Sequence, residues 1–304
     1  MLEEINKVLQ NYNLGKTEKF EKLSDGFANI NYKITTAKGD FLYRICKQQP
    51  IKFINYELNL LSELEKNEFP IAKAIQGCDG SYMNQTTEGM VVIYEFIEGE
   101  KPKPNKQTVC EIAEAVAKLN NFKKWEEFPR KNVIHIDNCI SLIEKFETAK
   151  YKFPEIFTYF EKYTKFLKEP LSENTPKGIV HGDIFPDNTI FKNNKLLAII
   201  DFEEACCDNL LFDVGMTING FCFIDNKLNE ELLNVFLKRY NQVRKMNEKE
   251  WELLPFYILW GAHGMLSWHL ERLINKENRE QLFRVNELIN RAISIKENRI
   301  PKIL

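Results

Sequence analysis

The sequence has little that would take it to a membrane, a nucleic acid or a metal cluster. No stretch approaches the eighteen or so apolar residues that span a bilayer. It has no CxxC pair and no HExxH, and its four histidines do not cluster with cysteine, which argues against a zinc site. The seven cysteines are an odd number and scattered, so reduced, mostly buried thiols in a cytoplasmic protein are expected rather than a disulfide framework. Adjacent Cys206 and Cys207 leave a redox role open beside simple packing. Charge of one sign is missing too. Forty-two Lys and Arg against 44 Asp and Glu give a net charge of −2, which points to no nucleic acid and no membrane as partner. There are no repeats and no low-complexity tracts.

What is present reads as an ordinary globular chain, 44% hydrophobic and 28% charged. At 304 residues it exceeds the size at which a single core usually splits, so two lobes are expected. The opening MLEEINKVLQNYNLG starts with acidic residues and lacks an apolar core of the signal-peptide type. Its spacing predicts an amphipathic helix with Ile5, Val8 and Leu9 inward, stopped at Gly15. Runs in which Lys and Glu alternate, such as EKFEKL, read as solvated helix faces.

The first third alternates β-rich runs with turns. Residues 31–36 (NYKITT) and 41–46 (FLYRIC) flank a turn at Lys38-Gly39-Asp40. A helix is predicted over 53–67, with Leu58, Leu61 and Leu64 on one face, then a hairpin whose last strand is 90–97. The composition changes at GEKPKPNK, residues 99–106, which reads as a linker. Beyond it, 109–119, 138–147, 230–243 and 251–273 carry helical spacing. The expected fold is α+β, with a β-rich N-terminal lobe over 1–98 and a mainly helical C-terminal lobe over 99–304. The exception inside the second lobe is IVHGDIFPDNTIFKNNKLLAIIDF, residues 179–202, which is rich in β-branched residues.

That stretch carries the chemistry. Residues 189–192 and 196–200 are two short strands around a turn at Asn193-Asn194-Lys195. An antiparallel pair brings the residue entering the first strand beside the one leaving the second, so Asn188 and Asp201 are expected to converge. A carboxylate and an amide oxygen make a hard-oxygen site suited to Mg²⁺. Asp183, five residues earlier and after His181 and Gly182, supplies a second carboxylate. Phosphoryl transfer needs this set: a cation to neutralise phosphate charge, and a carboxylate to orient a hydroxyl and accept its proton. Any one of these residues alone would pass for turn chemistry; the combination is specific.

The run HGDIFPDNTIFKNNKLLAIIDFE resembles the catalytic and metal loops of the aminoglycoside/choline kinase-like phosphotransferases, which have a protein kinase-like two-lobe fold. The resemblance implies ATP and Mg²⁺ as cofactors, Asp183 as catalytic base, and Asn188 and Asp201 as magnesium ligands. His181 would support the loop, or be a satisfied core histidine. In the N-terminal lobe, LSDGFANINYKIT (23–35) sits where the family has its nucleotide-covering loop. Gly26 is its single glycine, and Asn29 and Asn31 would add polar contacts to phosphate or substrate. Arg44 stands roughly where the family has a phosphate-holding lysine, with Glu57 as its partner carboxylate. Arginine is permanently charged and forked, so a purely structural Arg44–Glu57 pair is equally open. VVIYEFIEG (91–99) matches the hinge in position, and the backbone at Glu95 and Ile97 would meet the adenine edge.

Within the family the sequence is most similar to the homoserine kinases of this fold. DGFANINYKITT, HGDIFPDNTIF and ACCDNLLFDVGMTINGFCF (205–223) carry that similarity. It implies phosphorylation of L-homoserine to O-phosphohomoserine, a step of threonine biosynthesis, by a monomer or homodimer. A zwitterionic acceptor needs an anion for its ammonium and a cation for its carboxylate. Glu203, Glu204, Asp208 and Asp213 offer the anion, although Asp213 would also serve as a buried brace of the catalytic loop. Arg272, in SWHLERL, offers the cation, or is a plain helix-end arginine. Ser267 stands where that group usually carries a further arginine. Trp260, Trp268 and His269 lie nearby in sequence, and an aromatic wall would suit a choline- or ethanolamine-type substrate through cation–π contact. Two further readings stand beside these: a catalytically silent kinase-like binding module, and an aminoglycoside-modifying enzyme.

Overall fold

In the computed structural model the described residues are 1–23, 29–47, 49–147, 152–276 and 278–297. The chain forms two compact units, residues 1–100 with 190–203 and residues 101–189 with 204–304.

The first unit opens with helix α1 (Leu2–Tyr12) and strands β1 (Thr17–Lys22), β2 (Asn29–Thr36) and β3 (Gly39–Cys46), followed by α2 (Ile51–Lys66), β4 (Met83–Gln85) and β5 (Met90–Glu95). The strands make one antiparallel sheet in the order β1-β2-β3-β5-β4. Helix α1 buries Ile5, Val8, Leu9 and Tyr12, the i, i+3, i+4, i+7 stripe that its sequence carries. It stops at Asn13, not Gly15: Asn13 adopts the left-handed conformation with φ 51°, which asparagine tolerates better than most residues. Tyr32 pairs with Tyr43 and Ile34 with Phe41 across β2 and β3, and all four join the α1 residues in one core. Strand alternation turns the intervening residues the other way. Asn31 and Arg44, directly opposite in the ladder, therefore share the second face.

The second unit holds α3 (Lys106–Asn120), α4 (Ile136–Phe146), α5 (Pro154–Ser172), the short pair β6 (Lys177–Val180) and β9 (Cys206–Asn209), α6 (Leu211–Phe221), the two-residue strands β10 (Phe223–Ile224) and β11 (Lys227–Leu228), α7 (Glu230–Val243), α8 (Glu248–Asn275) and α9 (Arg279–Glu297). Helices α3 and α8 begin three residues before the expected positions because Asn105 and Asn247 each build a capping box with Thr108 and Glu250. Helix α6 was not legible as a helix because nearly all its residues are buried, which removes the periodic polar face. It packs closely on α8. A Cβ on Gly215 would lie 2.2 Å from the Tyr257 carbonyl oxygen, so only glycine permits that approach. Among the described residues no helix is long and apolar enough to cross a membrane.

The hairpin β7 (Thr189–Lys192) and β8 (Lys195–Ile199) groups, from residue 190 on, with the sheet unit rather than with the helical lobe expected over 99–304. Its backbone explains why. Ile199 donates to the Pro70 carbonyl at 2.9 Å, and Phe191 and Glu100 exchange bonds at 2.8 and 2.9 Å. Its turn is two residues long, not three: Asn193 and Asn194 both have positive φ, 53° and 61°, the geometry whose twist matches a tight hairpin.

Candidate active site

The sheet unit contributes a cluster of buried charge. Glu57 lies on the buried stripe of α2, where an acidic residue is rare without a partner. Its partner is Arg44 of β3, whose Nη1 stands 3.5 Å from Glu57 Oε1 and 3.4 Å from Asp201 Oδ1. The guanidinium also lies over the Tyr94 ring, 5.4 Å from its centroid. Burial opposes the charge on Arg44, but Asp201, Tyr94 and Glu57 outweigh it and raise its pKa. Glu57 is pushed up to about 7, first by burial, with Asp201 and Glu203 adding to the effect and Arg44 opposing it. Two carboxylates, Glu57 and Asp201, thus share one guanidinium. Asp201 itself takes a left-handed backbone, φ 68°, an unusual conformation for a side chain to hold at a strand exit. Nearby, Asn29 Nδ2 donates to Glu203 Oε2 at 3.0 Å. The side-chain carbonyl oxygens of Asn29 and Asn31 are buried and have no partner among the described residues.

The hinge segment is partly committed. The Glu95 amide donates to the Lys73 carbonyl at 2.8 Å and is not available to a ligand. Gly26, the glycine of the expected nucleotide loop, lies outside the described residues.

The helical unit contributes a loop held by backbone geometry. Strand β6 runs into His181 and then Gly182, whose φ is 87°, and this turn delivers Asp183. One buried carboxylate fixes it. Asp213, at the start of α6, accepts the His181 amide on Oδ2 and the Gly182 amide on Oδ1, each at 2.8 Å. Burial lifts Asp213 to about 7, against the opposing pull of the Gly182 and His181 amides and of Asn120. Asn120 in turn accepts from Tyr240 Oη at 2.8 Å, and Arg244 bonds both Tyr240 Oη at 3.2 Å and Glu250 at 2.8 Å. A chain of buried polar contacts thus backs the loop. Asp183 is oriented from the other side: Asn188 Nδ2 donates to its Oδ2 at 2.7 Å and to its carbonyl at 2.9 Å. With that amide nitrogen committed, the atom Asn188 offers to a cation is its Oδ1.

Other expected residues fall elsewhere. Both Asp213 oxygens are engaged in a fully buried setting, so it is the brace and not a ligand for a substrate ammonium. Asp208 accepts from Asn132 Nδ2 at 2.6 Å and from the Asn209 amide at 2.7 Å. Arg272 stacks on Trp268 at 3.5 Å from the ring centroid. Trp260 is buried in the core while Trp268 is 41% exposed, so the two do not build the aromatic wall that an amine acceptor would suit. His181 is fully buried, and its Nδ1 accepts the Asp183 amide at 3.2 Å, which makes it a support of the loop. Among the described residues no group of three or more His, Cys, Asp or Glu side chains gathers as a metal cluster. By donor chemistry, the Asn188 amide oxygen in one unit and the Asp201 carboxylate in the other are each of the hard-oxygen kind that Mg²⁺ takes.

Arg130, Asn132, Asn120 and Tyr94 escaped the sequence reading. The first two precede α4 in an irregular stretch with no period to flag them; the others look like ordinary helix and strand residues.

A model of the phosphotransferase enzyme family matches residues 19–248, more than half of the chain. The chain belongs to that family. It is a small-molecule kinase, similar over most of its length to known members. A homoserine kinase of Bradyrhizobium diazoefficiens is 28% identical over 281 residues, covering 90% of this chain and 84% of the relative. One from Rhodospirillum rubrum is 26% identical over 277 residues, covering 90% and 86%. Among solved structures, an amicoumacin kinase in complex with AMP-PNP and Ca²⁺ superposes with a TM-score of 0.74 at 15% identity, covering 97% of this chain and 94% of that one. A microcompartment-associated aminopropanol kinase gives 0.72 at 15% identity, covering 96% of each. The kinase-like fold of the phosphotransferase is thereby established, with the five-stranded antiparallel sheet in one unit and most of the helices in the other.

Proposed function

We propose that this phosphotransferase moves the γ-phosphoryl group of ATP to the side-chain hydroxyl of L-homoserine, giving O-phosphohomoserine and ADP. The observation that carries the reading is the loop 181–183, clamped by Asp213 and presenting an Asp183 carboxylate oriented by Asn188. A base for a hydroxyl must be held in place before its proton can be taken efficiently, and this arrangement does that. Asp183 accepts the acceptor's proton as the oxygen attacks phosphorus. Arg44 faces the polyphosphate, Asn29 and Asn31 add polar contacts there, and Glu57 keeps the guanidinium in place. Asn188 and Asp201 are the residues that would hold Mg²⁺, which would supply neutralisation of phosphate charge. The adenine edge needs one acceptor and one donor; the Glu95 carbonyl and the Ile97 amide supply them.

Homoserine is favoured over a quaternary amine because the tryptophans do not build a cage and because the homoserine kinases align over nine-tenths of the chain. A simple amino alcohol is the second reading, supported by the acidic residues near the loop and by the likeness to an aminopropanol kinase. A coupled ADP-release screen at fixed MgATP tests this, with homoserine, ethanolamine, choline, simple sugars and kanamycin as acceptors. Homoserine is expected to give the highest kcat/KM. Turnover with another acceptor and none with homoserine would end the assignment.

A further inference from the structure

This inference rests on the reading that the acceptor is an amino acid, and it concerns which side chains read its zwitterionic end. We infer that Arg130 and Glu204 form that receptor, Arg130 taking the carboxylate and Glu204 the ammonium. Position is the first argument. A Cβ on Gly182 would lie 3.3 Å from the Glu204 carbonyl oxygen and 3.6 Å from its Cβ, so Glu204 lies against the residue that precedes Asp183. Arg130 Nη2 is 3.7 Å from Glu204 Oε2, which extends the same neighbourhood by one guanidinium. Arg130 is also well anchored. Its carbonyl accepts the Cys207 amide at 2.7 Å, and Lys131 bridges to Cys207, so the segment runs along β9 like an added strand.

The character of the ion pair is the second argument. At 3.7 Å it is longer than a hydrogen bond, with the arginine side chain 10% exposed and the glutamate 39%. A zwitterion placed beside the two would gain two charge-assisted contacts without changing the net charge. Neither side chain is stranded as an isolated buried charge before the acceptor arrives. Arginine's fork matches a carboxylate in two places at once.

The rival residues lie elsewhere or are engaged. Both Asp208 oxygens have partners, Asn132 and the Asn209 amide. Arg272 is committed to Trp268 and lies at the distal end of α4. Gly264 of α8 faces Ile134, whereas Arg272 is eight residues further, roughly 12 Å along a helix. There Glu271 pairs with Lys145, at the C-terminal end of α4, at 3.1 Å. Arg130 and Asn132 lie before the helix's other end.

Three acceptors separate the roles: L-homoserine, 3-amino-1-propanol, which lacks the carboxylate, and 4-hydroxybutanoate, which lacks the ammonium. Arg130→Met is expected to lower kcat/KM for homoserine and for 4-hydroxybutanoate by about 100-fold while 3-amino-1-propanol changes by no more than about threefold. Arg130→Lys should recover part of the loss. Glu204→Gln should do the converse, sparing 4-hydroxybutanoate. KM for MgATP, together with the thermal midpoint, reports whether the variants remain folded. Equal losses on all three acceptors in folded protein would overturn the assignment, as would homoserine losses confined to Arg272→Met. Should wild type ignore homoserine but use another hydroxy acid, the homoserine reading falls and Arg130→Met is judged on that acid. Wild type that turns over only carboxylate-free acceptors would sink both.

Discussion

Glu57 in one unit and Asp213 in the other are buried carboxylates beside expected site residues, and the two are held in different ways. Glu57 and Asp213 are both lifted to about 7, in each case mainly by burial. Glu57 is answered by a side-chain charge, through a guanidinium that it shares with Asp201 at 3.4–3.5 Å. Asp213 is answered by two backbone amides at 2.8 Å each. Under the proposed function, the contrast matches what each set of residues would do. A polyphosphate site must exchange partners as an anion arrives and leaves, and long contacts around a delocalised cation allow that. A proton acceptor must stay put, and backbone amides move only if the chain moves.

The comparison can be broken by experiment. Asp183→Ala should have the largest effect, about 10³-fold or more on kcat, with nucleotide affinity nearly unchanged when measured by equilibrium binding. A variant with wild-type turnover would remove the base assignment. Asp201→Asn keeps a residue type that tolerates positive φ, so it isolates the charge. We expect about 10²-fold lower turnover together with loss of the magnesium dependence, read from initial rates across a Mg²⁺ titration. Asp213→Asn retains one acceptor where two amides point, and should cost about 1–3 kcal/mol of stability by denaturant unfolding, with kcat falling more than the KM for ATP rises. Glu57→Gln is expected to act in the opposite sense, raising the KM for ATP about tenfold with a smaller change in kcat. If Glu57→Gln depressed kcat alone and Asp213→Asn depressed nucleotide affinity alone, the division of labour would be wrong.

The smallest effect is on pH. Both folded-state pKa values are raised above the ordinary 4.5 of glutamate and 3.8 of aspartate. The folded protein therefore binds protons more tightly at these groups than the unfolded chain, and their contribution to stability declines as pH rises from about 4 through about 7. The destabilisation caused by Glu57→Gln or Asp213→Asn should accordingly be larger at pH 5 than at pH 8. Equal destabilisation at the two pH values in unfolding titrations would contradict the upward shift of both groups.

Much of the site was legible because its residues are close in sequence. His181, Asp183 and Asn188 lie within eight residues, and the Asn-Asn turn marked the hairpin that follows. Arg44 and Glu57 could be paired by their positions on a strand and the next helix. Asp213 stayed ambiguous between brace and ligand, since a sequence does not say whether a carboxylate meets an amide or an ammonium. Arg272 and Trp260 stayed open for a related reason: helical spacing places residues on a helix without saying what its faces meet.

By itself the sequence determined the local geometry: the amphipathic stripe of α1, the alternation of β2 and β3 that sets Arg44 opposite the core, and the hairpin after Asn188. These follow from period and turn chemistry, which act over a few residues. Only the tertiary structure decided that Asp213 closes on the His181 and Gly182 amides, that Asp201 shares Arg44 with Glu57, and that Arg130 comes to Glu204. Those contacts join residues 31, 157 and 74 positions apart, since 213 − 182, 201 − 44 and 204 − 130 give those separations. They depend on packing, which brings distant segments together only when the whole unit folds.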